Sequence, residues 1–186
     1  DKVFTITVND ANETPTNIAL SASSISENNA ANAVVGTLSS TDVDAGDTHT
    51  YELVSGTGDT DNASFTIEGN QLKVTPILDY ETKASYSILV RTTDAGGLFY
   101  DKAFTITVND VNETPTNIAL SASSISENNA ANAVVGTLSS TDVDASDTHT
   151  YTLASGTGDT DNDSFTIVGN QLKVTPILDY ETKASY

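Results

Sequence analysis

Acidic side chains recur in this sequence at short fixed spacings: Asp42-Val-Asp44, Asp79-Tyr-Glu81 and Asp110-Val-Asn112-Glu113, with Glu27 and Asp94 between them. In an extended loop, Asp-x-Asp and Asp-x-Glu place two carboxylates on one side of the backbone, where they grip one hard cation or bridge two. Ca²⁺ suits such a set, because it takes about 6–8 oxygen ligands from carboxylates, carbonyls and water. Gathering like charges within a few ångströms is costly without a cation. The full balance is 26 acidic against 7 basic residues, a formal charge of −19 and a pI near 4.1. Nucleic acid and anionic membrane surfaces would repel such a chain, so neither is expected as a partner.

Other chemistry finds little footing. His49 and His149 are the only histidines and lie 100 residues apart, whereas zinc needs several converging ligands; both read as strand-edge surface residues. Ser and Thr are abundant, but no His–carboxylate pair stands with a nucleophile, so no enzyme is expected. Asp42–Leu53 opens like an EF-hand loop, yet Leu53 stands where the closing carboxylate belongs and no helix flanks it. The acidic loop Gly58-Asp-Thr-Asp61-Asn62 reads as a turn whose side chains bond their own backbone; a further calcium site there is the alternative. There is no cysteine, so either the fold is large enough to hold without disulfides or another brace replaces them, a purpose metal ions would serve. No apolar run approaches the ~18 residues of a membrane helix.

Shifting the sequence by 100 aligns residues 1–86 with 101–186 with seven differences: Val3/Ala103, Ala11/Val111, Gly46/Ser146, Glu52/Thr152, Val54/Ala154, Ala63/Asp163 and Glu68/Val168. Such near-identity signals duplication in a tandem array. The polar, Pro-containing Asn-Glu-Thr-Pro at 12–15 and 112–115 reads as linker. Residues 14–113 are then a complete repeat, residues 1–13 the last strand and linker of a preceding one, and residues 114–186 a following repeat lacking its last two strands. The chain reads as an excerpt from a larger polymer.

Seven short β patterns fill residues 14–113: Ile18–Ile25, Val34–Ser40, His49–Val54, Ser64–Glu68, Gln71–Thr75, Tyr86–Asp94 and Leu98–Val108, with Gly69-Asn70 as a hairpin turn. Hydrophobic residues at 37% and no Trp suit a thin sandwich, and seven strands in this length fit the immunoglobulin-like prior. If strands alternate in direction, Glu27, Asp79 and Glu81 fall at the base of the repeat. Asp42, Asp44 and Asp94 fall at its top, and Asp110, Asn112 and Glu113 lie in the linker between. Eight of the 14 acidic residues in 14–113 belong to these sets.

The ordered motifs Ser26-Glu27-Asn28, Asp42-Val-Asp44-Ala-Gly46, Leu78-Asp-Tyr-Glu81, Thr93-Asp-Ala-Gly96 and Asp110-Val-Asn-Glu-Thr-Pro115 resemble the cadherin repeat. They are most similar to the cadherin-like repeats of very large bacterial exported proteins. The resemblance implies an all-β fold of tandem, seven-stranded, immunoglobulin-like Greek-key sandwiches joined by short calcium-binding linkers. It also implies up to three Ca²⁺ per junction. Carried over, one junction uses Glu27, Asp79, Glu81, Asp110, Asn112, Glu113, Asp142 and Asp144. Another uses Asp10, Asn12, Glu13, Asp42, Asp44 and Asp94, and a third begins with Glu127, Asp179 and Glu181. The linker reads Asp-Val-Asn-Glu-Thr where the family commonly has Asp-x-Asn-Asp-Asn. Asp47 and Asp147 are further ligand candidates outside that set. Without Trp, the strand exchange of adhesive cadherins does not transfer.

The expected function is a calcium-rigidified structural repeat of a stalk, adhesin or filament, extracellular or on the cell surface. Its expected partners are neighbouring repeats end to end, with other copies of the array or a cell or matrix surface beyond them. Two other readings stand: a carbohydrate- or surface-binding module, for which Leu98-Phe-Tyr100 is the best aromatic platform, and a fibre subunit sharing strands between chains.

Overall fold

Strand β1 (Asn17–Leu20) buries Ile18 completely, and its pairing partner is β3 (Val34–Thr41), with Ile18 opposite Ser40. Between them the chain breaks step: β2 (Ser24–Ser26) leaves that sheet and pairs elsewhere. The single strand expected over Ile18–Ile25 is therefore two. The break is built by local bonding, since Ser21 N–H donates to the Thr37 carbonyl at 3.0 Å and Thr37 N–H donates to Ser21 Oγ at 2.8 Å. Gly36 makes it possible, because a Cβ there would stand 2.7 Å from the Ala22 oxygen and 2.9 Å from its nitrogen. Backbone cannot yield as a side-chain tip does, so Gly36→Ala is expected to destabilise the unit by about 1–3 kcal/mol, read as a lower urea midpoint.

The structure is a computed structural model describing residues 1–186, which form two compact units, Asp1–Val111 and Asn112–Tyr186. In the first unit the chain continues through β4 (Thr50–Leu53), a 3-10 turn at Asn62–Ser64, and the hairpin of β5 (Phe65–Glu68) and β6 (Gln71–Val74). Gly69 turns that hairpin at φ 61°, a conformation glycine adopts without steric cost. Strands β7 (Ser85–Thr93) and β8 (Phe99–Asn109) complete it. One sheet has the order β1-β3-β6-β5 and the other β2-β8-β7-β4. All pairings are antiparallel except β2 with β8, which run parallel with Ile25 opposite Val108. Alternate residues of β8, Ile106 and Val108, turn inward and meet Ile18, Leu38, Leu72 and Ile88 in a closed core. The expected all-β sandwich is what this unit shows.

The second unit contains one four-stranded sheet, β9 (Asn117–Leu120), β10 (Ala133–Thr141), β11 (Phe165–Val168) and β12 (Gln171–Val174), in the order β11-β12-β10-β9. It repeats the first sheet of the other unit. Residues 150–153 and 124–126 form no strand there, because their counterparts β4 and β2 pair only with β7 and β8, which residues 112–186 do not duplicate. The inner face is correspondingly open, with Ile118 at 64% exposure against 0% for Ile18.

Residues 1–16 form no strand either, although Phe4–Val8 has the same sequence as Phe104–Val108. Propensity is equal in the two copies; what differs is that β7 and β2 flank Phe104–Val108. Pairing and burial, more than intrinsic preference, decide strand formation.

Candidate metal centre

The loops that follow β3 and β7 in the first unit bring acidic groups together with the segment that precedes β1. Ligand oxygens of Asp10, Glu13 and Asp44 lie within 4.8 Å of one another, and those of Asp42, Asp47 and Asp94 do the same. Asn12 donates to Asp94 Oδ2 at 3.0 Å, and Glu13 N–H donates to Asp44 Oδ2 at 2.8 Å. Gly96 leaves room for this, since a Cβ there would stand 2.3 Å from Asn12 Oδ1. Gly96→Ala is expected to expel the Asn12 amide from the Asp94 carboxylate, seen as loss of the Asn12 side-chain NH₂ shift characteristic of that bond in NMR spectra.

The electrostatics of this end are those of carboxylates held too close. A hydrogen bond with Asp44, then burial and the charges of Asp44, Asp10 and Asp42, push the Glu13 carboxyl above the ordinary glutamate value. Burial, followed by the charges of Asp44, Asp42 and Asp94, pushes Asp47 up. Asp47 Oδ2 is buried without a hydrogen-bond donor. Asp42 behaves oppositely: burial would raise it, but the N–H groups of Asp44 and Val43 and the His49 ring outweigh burial and hold it low. His49 Nε2 lies 3.0 Å from Asp42 Oδ2, so this histidine orients a candidate ligand and is not the surface residue the sequence suggested.

At the other end of β8 stands a second group, in which Glu27, Glu81 and Asp110 have ligand oxygens within 4.8 Å of one another. Glu27 is 4% exposed. Its Oε2 accepts the Tyr80 N–H at 2.7 Å and its Oε1 accepts the Val111 N–H at 2.8 Å. Asp79 is not in that group. Its carboxylate caps the following turn, taking the Thr82 N–H and hydroxyl at 2.9 Å each.

In the second unit Glu127, Asp179 and Glu181 do converge, although Asp179 also accepts the Thr182 hydroxyl at 2.8 Å. Thr182 is the main cause of its lowered pKa. Glu113 N–H donates to Asp144 Oδ2 at 2.7 Å, repeating the Glu13–Asp44 bond, and Asn112 donates to the Glu113 carbonyl at 2.9 Å. Asp144 is 8% exposed and its Oδ1 has no donor. His149 lies 2.9 Å from Asp142 and is the main cause of that carboxyl's lowered pKa, joined by the Asp144 N–H against burial.

These donor sets are oxygen-only, with buried carboxylate oxygens lacking donors. That is the chemistry of Ca²⁺ and not of zinc or copper. The acidic loop at 58–62 is a turn: Asp59 accepts the Gly56 N–H at 3.0 Å, and Asp61 accepts the Ser87 N–H at 2.8 Å and pairs with Lys83. Burial opposes but Lys83 and Ser87 prevail, holding Asp61 low. In Leu98-Phe-Tyr100, Leu98 and Phe99 are exposed, Arg91 sits 3.7 Å over the Phe99 ring, and Tyr100 packs on the core.

The first unit is thus a two-sheet immunoglobulin-like sandwich with carboxylate groups at both ends. Residues 21–109 match the family model for the cadherin domain. Such domains are non-enzymatic and generally calcium-binding. Among solved structures, human Protocadherin-24 EC1-2 is similar at 21% identity and TM-score 0.71, over 93% of this chain and 82% of that one. PcdhgB3 EC1-4 is similar at 21% identity and TM-score 0.61, over 95% and 44%. Protocadherin Gamma B7 extracellular cadherin domains 1-4 gives 22% identity and TM-score 0.57, over 91% and 44%. This chain thus spans less than half the length of that last fragment. At these identities the likeness is one of fold.

Proposed function

We propose that this chain is a calcium-stiffened structural repeat of a long extracellular stalk, adhesin or filament, with Ca²⁺ held where consecutive repeats meet. Residues 14–113 make one repeat in this reading, 1–13 the tail of the one before and 114–186 part of the next. The observation that supports it most is the convergence of carboxylates at both ends of the first unit: Asp10, Glu13, Asp44 with Asp42, Asp47, Asp94 at one end, and Glu27, Glu81, Asp110 at the other. A divalent ion would offset the mutual repulsion of these carboxylates, and would supply the buried Asp47 oxygen with a partner.

Proton linkage gives the test. Glu13 and Asp47 have folded-state pKa values above their unfolded ones. In the metal-free protein, folding therefore takes up protons between the two values, and their contribution to stability falls as pH rises through that window. Ca²⁺ binds the ionised form and must release those protons. Isothermal titration with calcium is expected to show binding that weakens on acidification into this window, and proton release scaling with buffer ionisation enthalpy. Heats indistinguishable from dilution at neutral pH would sink the proposal.

A further inference from the structure

Between β6 and β7 the chain forms no strand, so the buried backbone groups of residues 76–81 must find partners outside a sheet. Leu78 lies in this stretch at 1% exposure. Its N–H donates to Asn29 Oδ1 at 2.9 Å, and its carbonyl accepts the Asn28 N–H at 3.0 Å. Asn29 Nδ2 donates to the Pro76 carbonyl at 3.0 Å and to the Ala30 carbonyl at 2.8 Å. One side-chain amide therefore serves the Pro76 carbonyl and the Leu78 N–H together, as a neighbouring strand would. Asn28 turns the chain into this contact at φ 54°, a left-handed conformation in which asparagine is enriched.

The same bonds recur in the second unit. Asn129 Nδ2 donates to the Pro176 carbonyl at 3.0 Å, Leu178 N–H donates to Asn129 Oδ1 at 2.9 Å, and Asn128 N–H donates to the Leu178 carbonyl at 2.9 Å. Asn128 turns at φ 55°. Each contact stands next to a carboxylate group. Two residues beyond Leu78, the Tyr80 N–H meets Glu27 Oε2 at 2.7 Å, and Glu81 brings an oxygen within 4.8 Å of those of Glu27 and Asp110. In the second unit the Tyr180 N–H meets Glu127 Oε2 at 3.0 Å, and Glu127, Asp179 and Glu181 converge.

We propose that Asn29 is a positioning residue for cation binding: its amide fixes the backbone at Pro76 and Leu78 and so delivers Glu81 to Glu27 and Asp110. Asn129 delivers Asp179 and Glu181 to Glu127 in the same way. The ion itself rests on the calcium reading above, whereas the docking of the loop is a property of the chain. A neutral amide suits the task. An aspartate at position 29 would still accept from the Leu78 N–H, but it would repel the Pro76 carbonyl and add a charge beside carboxylates that already repel one another.

Backbone NMR of the full chain tests both parts residue by residue. In chelator, Asn29→Ala is expected to speed amide exchange at Tyr80 about tenfold. The Tyr80 N–H bonds Glu27 and not Asn29, so this rate reports where the loop sits and not the deleted bonds themselves. The amides of Ile88 and Val90 in β7 should exchange as in the parent, and Asn29→Asp should fall between parent and Asn29→Ala at Tyr80. On adding calcium, the Tyr80 amide shift should titrate with a midpoint about tenfold higher in Asn29→Ala than in the parent. The Asp44 amide, which bonds Asp42 in the other carboxylate group, should keep its midpoint. Parent-like exchange at Tyr80, or an acceleration shared by Ile88 and Val90, would overturn the docking role. Equal Tyr80 midpoints in parent and variant would overturn the positioning role. Parent amides that do not respond to calcium would overturn the calcium reading and the positioning role with it, leaving the exchange rates to decide the docking.

Discussion

Adding calcium to the chelated chain should raise the thermal midpoint of its first unit by about 10–20 °C. A free concentration a hundredfold above the dissociation constant contributes about 2.7 kcal/mol. Each kilocalorie moves the midpoint of a domain this size by roughly 4–8 °C. Millimolar extracellular calcium reaches that excess for sites in the range of about 10⁻⁵ M, which ligand count and rigidity permit. The measurement is far-ultraviolet circular dichroism in chelator and in calcium. Asp44→Asn should lose part of the gain, because Asp44 belongs to the Asp10–Glu13 group and its charge is one that a bound cation would neutralise. Coincident melts in the two solutions would remove calcium as the stiffening agent.

Replacing Glu27 by alanine is the second large effect, and it should appear without any metal. The Glu27 carboxylate, nearly buried, satisfies the Tyr80 and Val111 N–H groups at once. Truncation strands both donors at about 1–3 kcal/mol each, so a loss of roughly 2–6 kcal/mol is expected from urea unfolding in chelator. Glu27→Gln retains one acceptor oxygen and should lose about half as much. An alanine variant within about 0.5 kcal/mol of the parent, the range of ordinary surface substitutions, would mean the two bonds carry no net stability.

Most of the sandwich was legible because its strands advertise themselves. Phe104-Thr-Ile-Thr-Val108 alternates inward and outward, and Gly69-Asn70 announces its hairpin. The division at Ser21–Ser23 was not legible, because Ile18–Ile25 keeps a β pattern throughout. Only the close approach of Ala22 to Gly36 reveals the change of sheet. The sorting of Glu27 to one end and Asp42, Asp44 and Asp94 to the other followed from strand alternation, and the structure brings members of each set together. What spacing could not tell was which carboxylates a local turn would claim. Asp79 is held by Thr82, while Asp47, outside the expected set, lies among Asp42 and Asp94. The tie between His49 and Asp42 was also invisible, since it depends on how the loop after β3 folds back on itself.

The parallel pairing of β2 with β8 has a mechanical meaning. In an array under tension, load enters the first unit ahead of β1 and leaves it after β8. Two parallel neighbours pulled from opposite ends slide along a common axis, so their bonds are strained together and must rupture together. An antiparallel hairpin pulled at its open end instead peels one bond at a time. The Glu27 carboxylate, clasping Tyr80 and Val111 just beyond β8, sits where that sliding would begin and acts as a latch against it.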